Sequence, residues 1–248
     1  MEYAIEAIGL GKASANKWLI RDVNLRIRRS ALYYLVGQNG SGKTTLLGLL
    51  AGLLRPSSGT ATVFGRQVWG AGPEVLSRIG FAPADGGYYP NLTVDQNLVV
   101  AAAIRRGSDR KAIDEAVAAL DLCPLRGRRA GSLSKGQKKR LAIACALVGY
   151  PEVVLLDEPY SNLDADGIDV VQKLVSDVCH NRGTTVVASS ALPPSSPGRT
   201  ATIGVIHEGR FLGEWDISDN LSPVDVRAML RELTTGLSGG RDDNPGQG

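Results

Sequence analysis

The 248-residue sequence has few cysteines, little net charge and no long apolar runs, and each of these features excludes a class of protein. Its three cysteines, Cys123, Cys145 and Cys179, have neither metal-ligand nor disulfide spacing, which favours a reducing compartment. The formal net charge is only +3, so the overall basic bias typical of nucleic-acid binding is missing and nucleic acid is not an expected partner. We therefore expect an ordinary protein of the cytosol.

Long apolar runs are also missing. The longest, such as residues 98–104, fall far short of the ~20 residues needed to cross a bilayer. The first ten residues, "MEYAIEAIGL", lack the basic start and the continuous apolar stretch of a secretory signal. The chain is therefore not expected to span a membrane by itself, while its 43% hydrophobic content is enough for one substantial core.

Apolar strands alternate with helical segments along most of the chain. The stretches "ALYYLVG", "EVVLLDE" and "TTVVASS" are continuously apolar and predict buried strands, whereas "WLIRDVNLRIRR" alternates and predicts a half-exposed one. Helices are expected from "TTLLGLLAGLL" to about Arg55–Pro56, within an insert at 92–122, and at 134–149 and 166–181. Such alternation predicts a parallel α/β sheet.

A glycine-rich loop follows the first buried strand. "GQNGSGKT", from Gly37 to Thr44, matches the phosphate-binding pattern G-x-x-x-x-G-K-[ST] in full and lies between a strand and a helix, which disfavours a chance glycine turn. Backbone N–H groups and the helix N-terminus suit phosphates, Lys43 adds a point charge, and Thr44 is placed to ligate Mg²⁺. The residues expected to bind these phosphates are Gly37, Gln38, Asn39, Gly40, Ser41, Gly42, Lys43, Thr44 and Thr45.

Two carboxylates end a second buried strand. "VVLLDEP" brings Asp157 and Glu158 to the carboxyl end of that strand, where ligands bind in parallel sheets. We expect Asp157 to hold Mg²⁺, directly or through water, and Glu158 to polarise an attacking water. The alternative, helix-capping or surface acids, is disfavoured because four apolar residues lead into the pair and the chain already has a phosphate loop.

A third segment, "LSKGQKKRLAIACAL", lies between these two motifs. Ser134 followed by Gln137 is also what a helix capping box requires, and for this piece alone the capping box is the better interpretation. Together with its neighbours, however, it gives an order of motifs that resembles the ATP-binding-cassette (ABC) ATPases, the nucleotide-binding subunits of ABC transporters. The resemblance covers roughly residues 3–215.

The resemblance implies a P-loop NTPase (RecA-like) α/β core with an N-terminal antiparallel β subdomain and a helical subdomain at about 84–149. It implies one nucleotide-binding domain over residues 3–233. Residues 37–44 would be the Walker A loop, Asp157 the Walker B metal ligand and Glu158 the catalytic glutamate. Residues Ser134, Gly136 and Gln137 would form the signature, with Lys135 in place of its usual first glycine, and "SNLD" at 161–164 resembles the D-loop.

The tail beyond Leu233 is rich in Gly and Asp, which predicts disorder over residues 234–248. It contains "LSGG" at 237–240, which looks more like the family's usual signature than "LSKG" does. Because no helix pattern follows it, we assign it no role.

In function, the resemblance implies a subunit that binds and hydrolyses ATP-Mg²⁺ to drive transport through a separate membrane permease. Two such subunits, identical or not, would pair head to tail, the signature of one closing over the γ-phosphate bound by the other. The expected location is the cytoplasmic face of the cell membrane, through the permease. Transported substrate and direction remain open. The alternatives are a nucleotide-binding module with little hydrolysis and a non-transport ABC protein.

Three positions depart from the family pattern. Ala84 stands at the usual glutamine, with Asp85 as the next polar side chain. Ser14 stands at the usual adenine-stacking aromatic, with Trp18 four residues on, and Ser190 stands at the usual switch histidine. These departures keep the low-turnover alternative open and predict slow hydrolysis if it occurs.

Overall fold

The computed structural model describes residues 2–105, 110–192 and 201–217, together with Ala228. Its strands are β1 (Tyr3–Ser14), β2 (Lys17–Arg28), β3 (Leu32–Val36), β4 (Ser58–Val63), β5 (Arg66–Gln67), β6 (Ile79–Ala82), β7 (Val153–Leu156), β8 (Thr185–Ser190), β9 (Ala201–His207) and β10 (Arg210–Asp216). The α-helices are α1 (Lys43–Leu50), α2 (Pro73–Leu76), α3 (Val94–Arg105), α4 (Arg110–Ala119), α5 (Lys135–Leu147) and α6 (Ala165–Arg182).

The strands form two sheets. One has six strands in the order β10-β9-β3-β8-β7-β6, and all neighbours in it pair in parallel except β9 with β10. The other is antiparallel, in the order β2-β1-β4-β5. The predicted α/β core with an antiparallel β piece near the N-terminus is therefore confirmed.

Strand β3 is buried on both of its faces. Tyr33 and Leu35 pack in a cluster with the antiparallel sheet and α1, whereas Leu32, Tyr34 and Val36 pack in a cluster with α3, α5 and α6. Because successive side chains of a strand point to opposite faces, a strand covered on both sides must be apolar throughout. This explains the unbroken run "LYYLV".

Helix α1 ends earlier than the sequence predicts, at Leu50 rather than near Arg55–Pro56. Gly52 adopts a left-handed φ of +70°, and the N–H groups of Leu53 and Leu54 both donate to the carbonyl of Gly48. A glycine in this conformation terminates a helix because it turns the chain so that the following N–H groups donate to carbonyls of the last turn. The leucines that follow Gly52 continue the helical pattern of the sequence past the actual end of the helix.

Helices α3, α4 and α5 lie within the predicted helical subdomain, whose bounds at 84 and 149 stay a prediction. The predicted tail at 234–248, with its "LSGG", lies outside the described residues, as does the predicted domain end at 233. Within the described ranges, no helix has the length and apolar character needed to cross a membrane.

Arg105 ties α3 to the end of α5. Its guanidinium donates to the carbonyl oxygens of Cys145, at 2.8 Å, and Val148, at 3.0 Å, near the C-terminus of α5. Burial lowers the pKa of Arg105. The last carbonyls of a helix have no partner within the helix, so this cation both satisfies them and interacts favourably with the negative end of the helix dipole.

Replacing Arg105 with methionine is expected to lower the free energy of unfolding by about 2 kcal/mol, since hydrogen bonds to a charged donor are lost while the aliphatic stem stays. Urea unfolding followed by circular dichroism measures this. The matched control is Arg140→Met, which removes a partly exposed cation of α5 whose nitrogen lies 3.5 Å from Asp121. That change should cost no more than about 1 kcal/mol, and equal losses in both variants would contradict the capping role.

Candidate functional site

The loop between β3 and α1 is held in one shape by glycines and by Lys43. Gly40 and Gly42 have φ values of +81° and +108°, in the left-handed region that glycine tolerates. A side chain at Gly37 would bring its Cβ within 2.2 Å of the carbonyl oxygen of Ile206. Lys43 is 4% exposed, and its ammonium donates to the carbonyls of Gly37 at 2.9 Å and Gln38 at 3.2 Å, closing the loop around it.

This loop fits a phosphate group. The hydroxyl oxygen of Ser41 is buried without a hydrogen-bond partner among the described residues, which is costly unless a ligand or water satisfies it. The first turn of α1 carries no acidic residue of its own, and the positive dipole end of a helix favours an anion. Gln38, Asn39 and Gly40 are exposed, which leaves the loop open to solvent.

The Asp157 carboxylate lies directly beneath the loop. It is 1% exposed; one oxygen accepts from the Thr44 hydroxyl at 2.7 Å and the other from the Ser189 hydroxyl at 2.5 Å. Within the described chain, no group of three or more carboxylate, imidazole or thiol ligands gathers anywhere. One carboxylate beside one hydroxyl nevertheless suits Mg²⁺, which takes few protein ligands and completes its octahedron with phosphate oxygens and water.

Glu158 occupies a sharp turn after β7. Its φ of +47° is uncommon for a residue with a side chain, and such backbone strain clusters at functional sites. The carboxylate oxygen of Glu158 lies 3.5 Å from the Lys43 ammonium. The carbonyl of Glu158 accepts a hydrogen bond from the hydroxyl of Ser161 at 2.9 Å. Neither acid caps a helix, so the capping alternative for the pair does not hold.

Ser189 is the residue of this site that the sequence reasoning missed. It is fully buried, and its hydroxyl both donates to Asp157 and accepts from the backbone N–H of Glu158 at 2.9 Å. The sequence shows two hydroxyls at the end of "TTVVASS", but only the pairing of β8 with β7 shows that Ser189 reaches the acids. Ser190 differs: its hydroxyl accepts from the N–H of Leu192 at 3.4 Å, and its carbonyl accepts from Gly37 N.

The signature segment begins α5. Ser134 and Gln137 form both bonds of a capping box, Gln137 N to Ser134 Oγ at 3.2 Å and Ser134 N to Gln137 Oε1 at 3.0 Å. A Cβ on Gly136 would lie 3.1 Å from the carbonyl of Asn162. Within the described ranges, no hydrogen bond or ion pair joins this segment to the phosphate loop. One chain thus brings Lys43, Thr44, Asp157 and Glu158 together, but not the signature.

A lysine of α5 contacts the backbone at Ala84, the position where the family pattern has a glutamine. Lys139, 5% exposed, donates from its ammonium to the Ala84 carbonyl at 2.5 Å. Burial lowers the pKa of Lys139, while the charges of Asp85, Asp157 and Glu158 oppose that effect. Asp85 is exposed and lines, together with Lys139, a cavity of about 260 Å³.

The other two departures bring no substitute. The Trp18 ring packs over Gly11, where a Cβ would lie 2.9 Å from it, which fits strand packing rather than a free stacking surface. Ser14 is exposed at the end of β1. Neither Ser190 nor Ala191 beyond it supplies an imidazole at the end of β8.

A glycine loop between a buried parallel strand and a helix, with a buried aspartate directly after another strand of the same sheet, defines a P-loop nucleoside triphosphatase. Residues 20–161 match the family model described as ABC transporter, and the chain belongs to this family. It is an ATP-binding subunit of the ABC transporter type and an ATPase.

Similar proteins and solved structures support the same family assignment. The chain is 34% identical to the bacitracin transport ATP-binding protein BcrA of Bacillus licheniformis, covering 86% of this chain and 70% of that protein. It is also 34% identical to the Fe(3+) ions import ATP-binding protein FbpC 1 of Rhodococcus jostii, covering 85% and 62% respectively. The solved structure of an ATP-binding subunit of an ABC transporter shares the fold, with a TM-score of 0.81 at 20% identity over 93% of this chain and 99% of that one.

Replacing Gly37 with alanine should weaken nucleotide binding by at least about tenfold, because the added Cβ collides with a backbone carbonyl and the loop must move. Titration with a fluorescent ATP analogue measures the affinity. Gly127→Ala is the matched control, since a Cβ there meets nothing within 4 Å. An unchanged affinity in the Gly37 variant would show that the loop shape is not required.

Proposed function

We propose that this chain binds ATP together with Mg²⁺ at the loop formed by residues 37–45, and that hydrolysis there drives a separate membrane-spanning permease. The observation that carries the proposal is the buried Asp157 carboxylate, hydrogen-bonded to Thr44 of the phosphate loop while Glu158 lies 3.5 Å from Lys43. These contacts support a site in which a metal ligand, a phosphate-binding cation and a general base surround one point.

Each residue has a role in this proposal. Lys43 exchanges its loop carbonyls for β- and γ-phosphate oxygens, and the N–H groups of residues 38–45 bind the same phosphates. Thr44 and Asp157 would hold Mg²⁺, which supplies charge neutralisation for the transferred phosphoryl group. Glu158 accepts a hydrogen bond from the attacking water and orients it in line with the γ-phosphate.

The signature acts on a nucleotide bound by a second subunit. The Ser134 oxygen accepts from Gln137 N, which leaves the hydroxyl proton free to be donated to an anion. Gly136 and the N-terminus of α5 add backbone N–H groups and a positive dipole end. Two chains, identical or not, would therefore complete two sites between them.

The transported substrate stays open. Relatives named for bacitracin transport and for Fe(3+) import are equally identical to this chain, at 34%, so identity favours neither cargo nor direction. We propose a position on the inner face of the cell membrane, reached through the permease.

A second candidate is a nucleotide-binding module with little turnover, which Ala84 and Ser190 favour because both lack the side chain expected near the attacking water. The position of Glu158 beside Lys43 argues against it.

Glu158→Gln is expected to lower kcat for ATP by at least about 100-fold while ATP binding is retained, because the amide cannot act as a base. Phosphate release by the purified protein, alone and with its permease, measures turnover, and analogue titration measures binding. If the unmodified protein turns over no faster than the variant, the binding-module candidate is supported and the enzymatic role of Glu158 is lost.

Pairing can be tested by mixing two inactive variants, Lys43→Ala and Ser134→Ala. Mixed dimers then contain one site with an intact loop and an intact signature, so mixing should restore ATP hydrolysis. Mixing Lys43→Ala with Thr44→Ala is the matched control, because every site then has a damaged loop. Equal activity in the two mixtures would contradict sites shared between two copies of this chain.

A further inference from the structure

The strand β8 ends in two adjacent serines whose hydroxyls have different surroundings. Ser190 is partly exposed and its hydroxyl bonds to the following loop backbone. Ser189 is 0% exposed, and its hydroxyl makes two bonds, one to the Asp157 carboxylate and one from the Glu158 N–H. A single side chain therefore contacts both members of the acid pair.

Strand register places Ser189 there. β7 and β8 run in parallel with Leu156 opposite Ala188, so the next residue of each strand, Asp157 and Ser189, lie side by side. The buried apolar residues of both strands support this register, since a slip would disrupt their close packing. The contact is thus built into the core of the sheet.

The Ser189 hydroxyl acts as a donor in one hydrogen bond and as an acceptor in the other. As a donor, Ser189 holds one oxygen of Asp157, which leaves the other oxygen facing the Thr44 hydroxyl at 2.7 Å. As an acceptor, it holds the N–H of Glu158 in the turn where φ is +47°. Chained hydrogen bonds of this kind strengthen one another in a buried environment.

We propose that Ser189 is the positioning residue of this site, setting the orientation of the Asp157 carboxylate toward the metal and the turn that presents Glu158. The inference rests on the proposed binding of Mg-ATP. Ser189 itself touches neither the phosphate loop's carbonyls nor Lys43 in the bonds described, so metal-free binding of nucleotide does not depend on it. Its loss acts on the steps that need the metal and the oriented glutamate.

The test compares Ser189→Ala with Thr185→Val. Thr185 lies at the opposite end of the same strand, is 1% exposed, and its hydroxyl accepts a hydrogen bond from Ser30 N at 3.0 Å. Both changes remove a buried hydroxyl from β8 and leave a backbone N–H without its partner, so Thr185→Val reports the effect of such a loss away from the acids. Only one of them lies beside the acids.

Three quantities are measured on each full-length protein: the affinity for a fluorescent ADP analogue in EDTA, the same affinity across a Mg²⁺ titration, and kcat for ATP. In Ser189→Ala, we expect the nucleotide affinity in EDTA to stay within about twofold of that of the unmodified protein. The Mg²⁺ concentration that gives half of the change in affinity should rise by about tenfold or more, and kcat should fall by about tenfold or more. Losses of this size are typical of side chains that orient metal ligands. Thr185→Val should change none of the three by more than about twofold, although thermal unfolding shifts in both variants.

Two outcomes overturn the inference: an unchanged Mg²⁺ dependence and kcat in Ser189→Ala, or equal changes in Thr185→Val, which would mean that only general stability had been lost. Failure of the underlying Mg-ATP proposal is distinguishable. In that case the unmodified protein itself would show no effect of Mg²⁺ on nucleotide affinity or turnover.

Discussion

The carboxylate of Asp157 is the constraint on which the rest of the site depends. A buried charge is tolerated only when hydrogen bonds replace the water it has lost. Thr44, from the phosphate loop, supplies one such bond and Ser189, from β8, supplies the other. The carboxylate therefore connects three elements: the loop that follows β3, the end of β7 and the end of β8.

The parallel sheet makes this convergence possible. Val36, Leu156 and Ser190 end three adjacent strands, and the pairing of Val36 with Ser190 and of Leu156 with Ala188 aligns those ends. Because the side chains of β3 and β7 are buried on both faces, the strands cannot shift without disrupting the packing of both. The packed strands thus hold Thr44 and the strained turn at Glu158 in fixed positions.

How much the sequence could predict depended on how local each signal was. The phosphate loop and the acid pair are contiguous in the chain, so their pattern carries their chemistry. Ser189 acts through a residue 32 positions away, and the stop of α1 depends on how Gly52 folds its backbone back on Gly48. Both depend on pairing and turn geometry that composition does not encode. Ser134 fits two interpretations at once, because a helix cap and an anion contact need the same hydroxyl at the same helix start.

Lys139 shows how the departure at Ala84 changes the chemistry beside the site. A glutamine amide can donate and accept hydrogen bonds, whereas an ammonium can only donate. The Lys139 ammonium is buried, bonds to the Ala84 carbonyl and lies within the electrostatic influence of Asp157 and Glu158. It therefore places a hydrogen-bond donor at the Ala84 carbonyl but cannot accept a hydrogen bond from a water, as a glutamine oxygen could. In the proposed mechanism, accepting a hydrogen bond from the attacking water then falls on Glu158, because Ala84 and Ser190 bring neither an amide nor an imidazole to the site.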